Sequence, residues 1–310
     1  MSAGSLFEAF LRIEGILAAL QLVLAMLGMG ATLELDDFRQ IARHYRAIGL
    51  VLVAQFLLGP LAAVAAGAWL PLPEGVVLGV ILLAVMPSGA MSNIFAHLGN
   101  GNLPLSITAT VASTLTCLVF TPLLLGVIVE AAIPAGFQMP TGRIVRDVAL
   151  FLLLPLLGGM WVRRRSPRSS LRFARWTVRS SLAVLAVIVV GSLGSGRIDV
   201  WSYGWTVPVI LVGFVFVQFV AARLLTLAFR YSARDSYTLA IEVALRNGNL
   251  AILLSSTLFA GAMAGASAEK AEDLGAGALY VALFYGGASL GMAILAVMVE
   301  RYWERRQLTR

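Results

Sequence analysis

Glu242, Arg246, Asn247 and Asn249 lie close together in SYTLAIEVALRNGNLAILLSSTLFAGA, residues 236–262, a run otherwise long and apolar enough to cross a membrane. One charged side chain at mid-bilayer costs about 2.5–3.5 kcal/mol on insertion scales, so such residues face a protein-lined cavity rather than lipid. Gly248, between the two asparagines, argues against a continuous helix there. A helix broken in mid-membrane offers backbone carbonyls and amides to an ion or a small polar solute.

A second run, VLGVILLAVMPSGAMSNIFAHLGNGN (77–102), begins as plain membrane helix and then meets Pro87, Ser88 and Gly89. Pro87 removes a backbone donor and Gly89 loosens the chain, which frees carbonyls near 83–87. Ser92 and Asn93 then supply oxygens. Small residues also let membrane helices pack closely, but packing does not account for an asparagine beside a break. The following run, LPLSITATVASTLTCLVFTPLLLGVIVE (103–130), places Ser106 and Thr110 on one helix face. Singly, such hydroxyls often bond back to their own helix. Together with Ser92, Asn93 and Glu242 they are hard oxygen donors, suited to Na+ rather than to a soft metal.

The elements that must position these groups are transmembrane helices. The chain has 310 residues, 59% hydrophobic and 13% charged, with a mean hydropathy of +0.89. The reading is an all-α polytopic membrane protein. Nine spans are expected, at about 14–33, 47–70, 75–98, 103–130, 145–162, 180–197, 204–229, 236–262 and 276–299. The net charge of +7 does not point to nucleic acid, because the basic residues fall between apolar runs. One set of connections is rich in arginine, including Arg39, Arg43, Arg46, Arg163 to Arg179, Arg230, Arg234 and Arg301 to Arg310. The other holds Arg12, Arg143, Arg146, Arg197 and Lys270. The rich side is expected to be cytoplasmic, with the N-terminus outside and the C-terminus inside. The lone Cys117 allows no intrachain disulfide, and Glu8 and Glu14 interrupt what could pass for a signal peptide.

The stretch RRRSPRSSLRFARWTVR, 163–179, reads as a basic loop on anionic headgroups, and Trp201, Tyr203 and Trp205 as an interfacial belt. The third and eighth spans are five steps apart, so they enter the membrane in opposite directions, and both are interrupted at mid-depth. Breaks at matching places in two oppositely oriented halves point to a transporter site at the midplane. Spans 1–4 then pair with 6–9 as inverted repeats. An intramembrane enzyme needs a nucleophile or metal set; there is no HExxH, and His44 and His97 lie at or beyond helix ends.

The segments GMGATLELDDF (28–38), AQFLLGP (54–60), MPSGAMSNIFAHLGNGNLPLSITATVASTL (86–115) and IEVALRNGNLA (241–251) resemble the bile acid:sodium symporter family, in matching order along most of the chain. The resemblance implies a single transporter domain, 1–310, with a panel and a core in which two broken helices cross. The panel would take about 14–70 less its core part, and part of 145–229. The core would take about 47–130 and part of 204–299. It implies secondary transport of a small organic anion, often driven by Na+, with no other cofactor and no protein partner evident beyond membrane lipids. By motif, a first sodium site falls on Ser92, Asn93, Ser106, Thr110 and Glu242. A second falls on Gln55, the Glu242 carboxylate, backbone oxygens of Val243 and Leu245, and the position of Arg246. Substrate is expected against Pro87, Ser88, Gly89, Asn93, Arg246 and Asn247.

Arg246 departs from the family pattern, which has a glutamine there. Glutamine offers an oxygen, whereas arginine offers only donors and a permanent charge. Three readings follow: a tethered cation, paired with Glu242, that replaces the second Na+; a ligand for the anionic substrate; or a side chain that snorkels away or pairs elsewhere. Tyr285, Gly286 and Gly287 stand where many relatives carry a His–Asn pair, so bile acid is not assumed as substrate. The expected function is inner-membrane transport by alternating access, coupled to Na+ at one site. The alternatives are a sodium-independent carrier or exporter, and a non-transporting sensor.

Overall fold

Long apolar helices follow from this composition, and the computed structural model, which describes residues 3–132, 141–196, 203–259 and 268–308, contains helices and no strand among them. In chain order they are α1 (Ala3–Gly30), α2 (Leu35–Arg43), α3 (Tyr45–Trp69), α4 (Glu74–Ala84), α5 (Met91–Leu98) and α6 (Leu103–Ala132). There follow α7 (141–165), α8 (Pro167–Gly194), α9 (Thr206–Ala228), α10 (Ala233–Ala244), α11 (Gly248–Phe259) and α12 (Ala268–Leu308). Seven of these are long and apolar enough to cross a membrane, among them α1, α3, α6 and α12. Large apolar side chains such as Leu61, Leu123, Leu154, Val190, Val209 and Leu295 are exposed along them, a surface suited to lipid rather than water. Trp69, Trp161, Trp205 and Trp303 are exposed near helix ends, where indoles favour the membrane interface.

Both interrupted runs are broken, as their residues predict. The first divides into α4 and α5 around Pro87, and the second into α10 and α11. The second break lies at Leu245–Asn247, and Gly248 is the first residue of α11 rather than part of the gap. The basic stretch 163–179, expected as a loop, is helical except at Ser166. Pro167 at the first position of α8 is the reason, since its fixed φ suits a helix start and its missing N–H costs nothing there. Trp201 and Arg197 lie outside the described residues.

α1 packs along both α7 and α8. Its contact with α7 is backbone against backbone: a Cβ added at Gly30 would lie 2.0 Å from the Leu156 carbonyl oxygen, and one at Gly159 2.3 Å from that of Leu27. Small residues allow this approach in lipid, where close packing takes the place of the hydrophobic effect. Gly159→Ala is therefore expected to lower the thermal midpoint of the purified protein by the equivalent of about 1–3 kcal/mol, the usual cost of overpacking. Gly49→Ala, with open space around the new methyl, should leave the midpoint unchanged in the same scan. The second group of contacts joins α4 and α11 to α12, α9 to α10 and α12, and α5 and α10 to α6. It encloses the two breaks.

Candidate functional site

A helix interrupted inside a protein leaves amides and carbonyls that must find partners, and here the two breaks supply many of them to each other. Gly89 N donates to the Leu245 carbonyl and Asn247 N to that of Pro87, both at 2.8 Å, so Ser88 and Arg246 run antiparallel at the crossing. Gly89 permits the approach, since a Cβ there would come within 3.0 Å of the Arg246 oxygen. Two of the carbonyls freed at the end of α10 are taken up by side chains. Glu242 O accepts from Gln55 Nε2 at 3.1 Å and Ser88 Oγ at 2.9 Å, and Ala244 O accepts from the Tyr285 hydroxyl at 2.7 Å. Asn247 caps α11 by accepting from Leu250 N at 3.1 Å. The tail of the first pair is fixed in turn by Tyr237, whose hydroxyl donates to Phe95 O at 2.9 Å, and by Thr238, which accepts from Asn102 N at 2.8 Å.

On one side of the crossing the Glu242 carboxylate turns toward α6. Its Oε2 accepts from Thr110 Oγ1 at 2.8 Å and its Oε1 from Ser106 Oγ. Asn93 Oδ1 lies 2.9 Å from Ser106 Oγ and 3.4 Å from Thr110 Oγ1, and Ser92 Oγ lies 3.4 Å from Thr110 Oγ1. Ser92, Ser106, Thr110 and Glu242 are fully buried. The five residues of the first expected site are thus brought together, with too few protons for their oxygens. Each hydroxyl has one hydrogen; that of Ser92 goes to Gly89 O at 2.8 Å. Two remain for both carboxylate oxygens and Asn93 Oδ1. A buried cluster short of donors is completed by a small cation, and one carboxylate with neutral oxygens matches a hard monovalent ion.

On the other side Arg246 enters a different shell. Nη1 donates to the carbonyls of Gln55, Ala84 and Met86 at 3.1–3.2 Å, and Nη2 to Gln218 Oε1 at 2.5 Å. A missing proline donor frees the first of these carbonyls, and the helix break at Pro87 the other two. In the widened turn Ala54–Leu58 of α3, Gly59 N bonds Ala54 O, so the next donor in that register would be the amide of Pro60, which has none, and Gln55 O is left open. The Pro87 break likewise leaves the last carbonyls of its helix, and Ser88 N turns instead to Ser113 Oγ at 2.9 Å. Gly59 makes room, since a Cβ there would meet Nη2 at 2.6 Å. Arg246 makes no ion pair with Glu242; the two side chains leave opposite sides of the crossing. Its one donor without a partner, Nε, is buried.

The remaining members of the second expected site lie around this shell. Gln55 Nε2 donates to Ser88 Oγ at 2.7 Å while its Oε1 is buried without a partner, Leu245 O is occupied by Gly89 N, and Val243 is buried beside them. A cavity of about 310 Å3 opens between α1, α8 and the crossing, lined by Gly89, Asn93, Arg246 and Asn247 of the expected substrate residues. Pro87 and Ser88 are not on its wall; Ser88 points back to Gln55 and Glu242. Gln21, Ser181 and Asn249 line it as well, with apolar walls from Met26, Met29 and Leu182. Gln218 and Gln21 escaped the reading of the sequence, although a lone glutamine in an apolar run, as in VFVQFV and AALQLV, is as strong a signal as the ones used.

The model of the Sodium Bile acid symporter family matches residues 19–200. An uncharacterized sodium-dependent transporter of Bacillus subtilis is 28% identical over 239 residues, covering 76% of this chain and 72% of the relative. A probable sodium/metabolite cotransporter of the chloroplast of Oryza sativa is 26% identical over 237 residues, 76% of this chain and 55% of the relative. The sodium-dependent organic anion transporter of Rattus norvegicus is 26% identical over 293 residues, 94% of this chain and 75% of the relative.

Proposed function

The chain belongs to the sodium bile acid symporter family, and from that premise we propose that it moves a small organic anion across the membrane by alternating access, coupled to one Na+ bound at Glu242. It is a transporter and not an enzyme. The observation that carries the proposal is the contrast between the two sides of the crossing. The Glu242 cluster lacks donors and asks for a cation, whereas the Arg246 shell already contains one.

Arg246 is read as a tethered cation in place of a second Na+. Four oxygens take up its Nη donors, and its Nε is sealed from the cavity, which leaves little of the charge for a substrate anion. The pairing with Glu242 expected from the sequence is replaced by carbonyl coordination. The substrate is placed in the cavity beside Asn93 and Asn247, where the N-terminal ends of α5 and α11 favour an anion through the helix dipole. The antiparallel crossing supports two inverted repeats and nine spans, seven continuous and two broken. α1, α7 and α8 would form the panel, and the two broken pairs with α6, α9 and α12 the core. The arginine-rich α7–α8 turn and the end of α12 are assigned to the cytoplasmic side of an inner membrane.

The test needs no knowledge of the substrate. A ligand that binds only the folded state stabilises it by RT ln(1 + [L]/Kd). Thermal midpoints of the purified protein in NaCl should rise saturably above those in KCl or choline chloride at equal ionic strength, with a Hill coefficient near one. Identical midpoints in the three salts would overturn sodium coupling; a Hill coefficient near two would return the second site to Na+.

A further inference from the structure

We propose that the turn between α7 and α8 is a binding site for an anionic phospholipid. A groove of about 480 Å3 opens there, with Leu35, Met160 and Trp161 on its apolar walls and Glu34, Arg163 and Arg164 at its rim. The Arg163 charge is already engaged, by the Glu34 carboxylate at 2.5 Å and by Pro167 O and Ser170 Oγ at 3.1 Å each. Among the described residues Arg164 has no acidic partner, and the same is true of Arg168 and Arg172 on the first turns of α8. All three are exposed. The local acids are occupied otherwise: Asp36 pairs with Arg39, and Asp37 accepts from Glu34 N.

The groove also has a tail. Leu150, Leu154, Leu157 and Trp161 are exposed along α7 and recur at helical spacing, so they form one stripe ending at Arg164. From 150 to 161 this stripe is about 16 Å long at 1.5 Å per residue, close to half of a ~30 Å hydrocarbon core. A phosphate between unpaired guanidiniums with an acyl chain along an apolar stripe is the shape of a phospholipid. A soluble polyanion would have no use for the stripe. The lipid would hold α7, and through the glycine contact α1, in place at the interface, whichever solute the protein carries.

The full-length protein in detergent is titrated with phosphatidylglycerol and, separately, with phosphatidylcholine, and retained lipid is counted by native mass spectrometry. The expected result is saturable retention of phosphatidylglycerol over phosphatidylcholine, weakened about fivefold for each arginine removed in Arg164→Gln and Arg168→Gln, and weakened also in Trp161→Ala. The charge-matched pair Arg305→Gln and Arg306→Gln should retain lipid as the wild type does. Equal loss in that control pair would mean diffuse attraction to a basic surface and would overturn the site. So would the absence of any lipid preference, or displacement of phosphatidylglycerol by millimolar inorganic phosphate, which would identify a simple anion site.

Discussion

With Glu242 replaced by glutamine, the extra thermal stability that NaCl gives over choline chloride is expected to vanish. The substitution keeps the volume and one oxygen but removes the charge, and its amide supplies the donor that the cluster lacks. Glutamine nitrogen can donate to Asn93 Oδ1, which in the native arrangement competes with the carboxylate oxygens for the hydroxyl protons of Ser106 and Thr110. Glu242→Gln should therefore be more stable than wild type in choline chloride, by about 1–3 kcal/mol, the scale set by an unsatisfied buried polar group. In NaCl at a hundred times its dissociation constant the wild type gains about 2.7 kcal/mol and the variant nothing, so the order of stabilities narrows or reverses as Na+ is added. Sodium-driven uptake into proteoliposomes should be lost at every Na+ concentration. A Glu242→Gln protein that keeps a saturable Na+-specific shift would place the ion elsewhere.

Most of the first candidate site was legible because the membrane makes polar residues conspicuous. Ser92, Asn93, Ser106, Thr110 and Glu242 each carry a cost in an apolar run, and the structure brings their oxygens together, all but Asn93 buried. The two breaks were legible for a related reason: Pro87 cannot complete a helical bond, and the polar run from Arg246 to Asn249 has no place in a plain membrane helix. Direction was harder. Side chains four residues apart on a helix share a face, which is why Glu242 and Arg246 invited pairing. The chain leaves the helix after Ala244, the register is lost, and the two diverge. The same limit hid the role of Pro60. Its effect on Gln55 O depends on a widened turn that the sequence AQFLLGP does not announce. In the basic stretch 163–179, the run of charge does not announce the helix that Pro167 begins.

The consequence of that divergence is largest at Arg246 itself. Replacing it by methionine leaves the carbonyls of Gln55, Ala84 and Met86 and the Gln218 amide oxygen facing one another without a donor. Each buried acceptor left without its donor costs about 1–3 kcal/mol, so Arg246→Met is expected to unfold at a markedly lower temperature in any salt. Arg246→Gln should be just as unstable in choline chloride, since one amide cannot serve four acceptors, but it returns an oxygen to a shell that then resembles a cation site. NaCl should rescue this variant, and its Na+ titration should steepen toward two ions where the wild type shows one. Arg246→Lys separates charge from shape: it keeps the cation without the planar fork, and should recover part of the stability while leaving the titration at a single ion. If Arg246→Gln instead matches wild type in stability and in Na+ response, the guanidinium is not acting as a cation in that shell. If it loses substrate affinity with stability intact, Arg246 contacts the transported anion after all. The expected pattern, instability relieved by Na+, is one that neither of those roles produces, because only a tethered cation can be replaced by a free one.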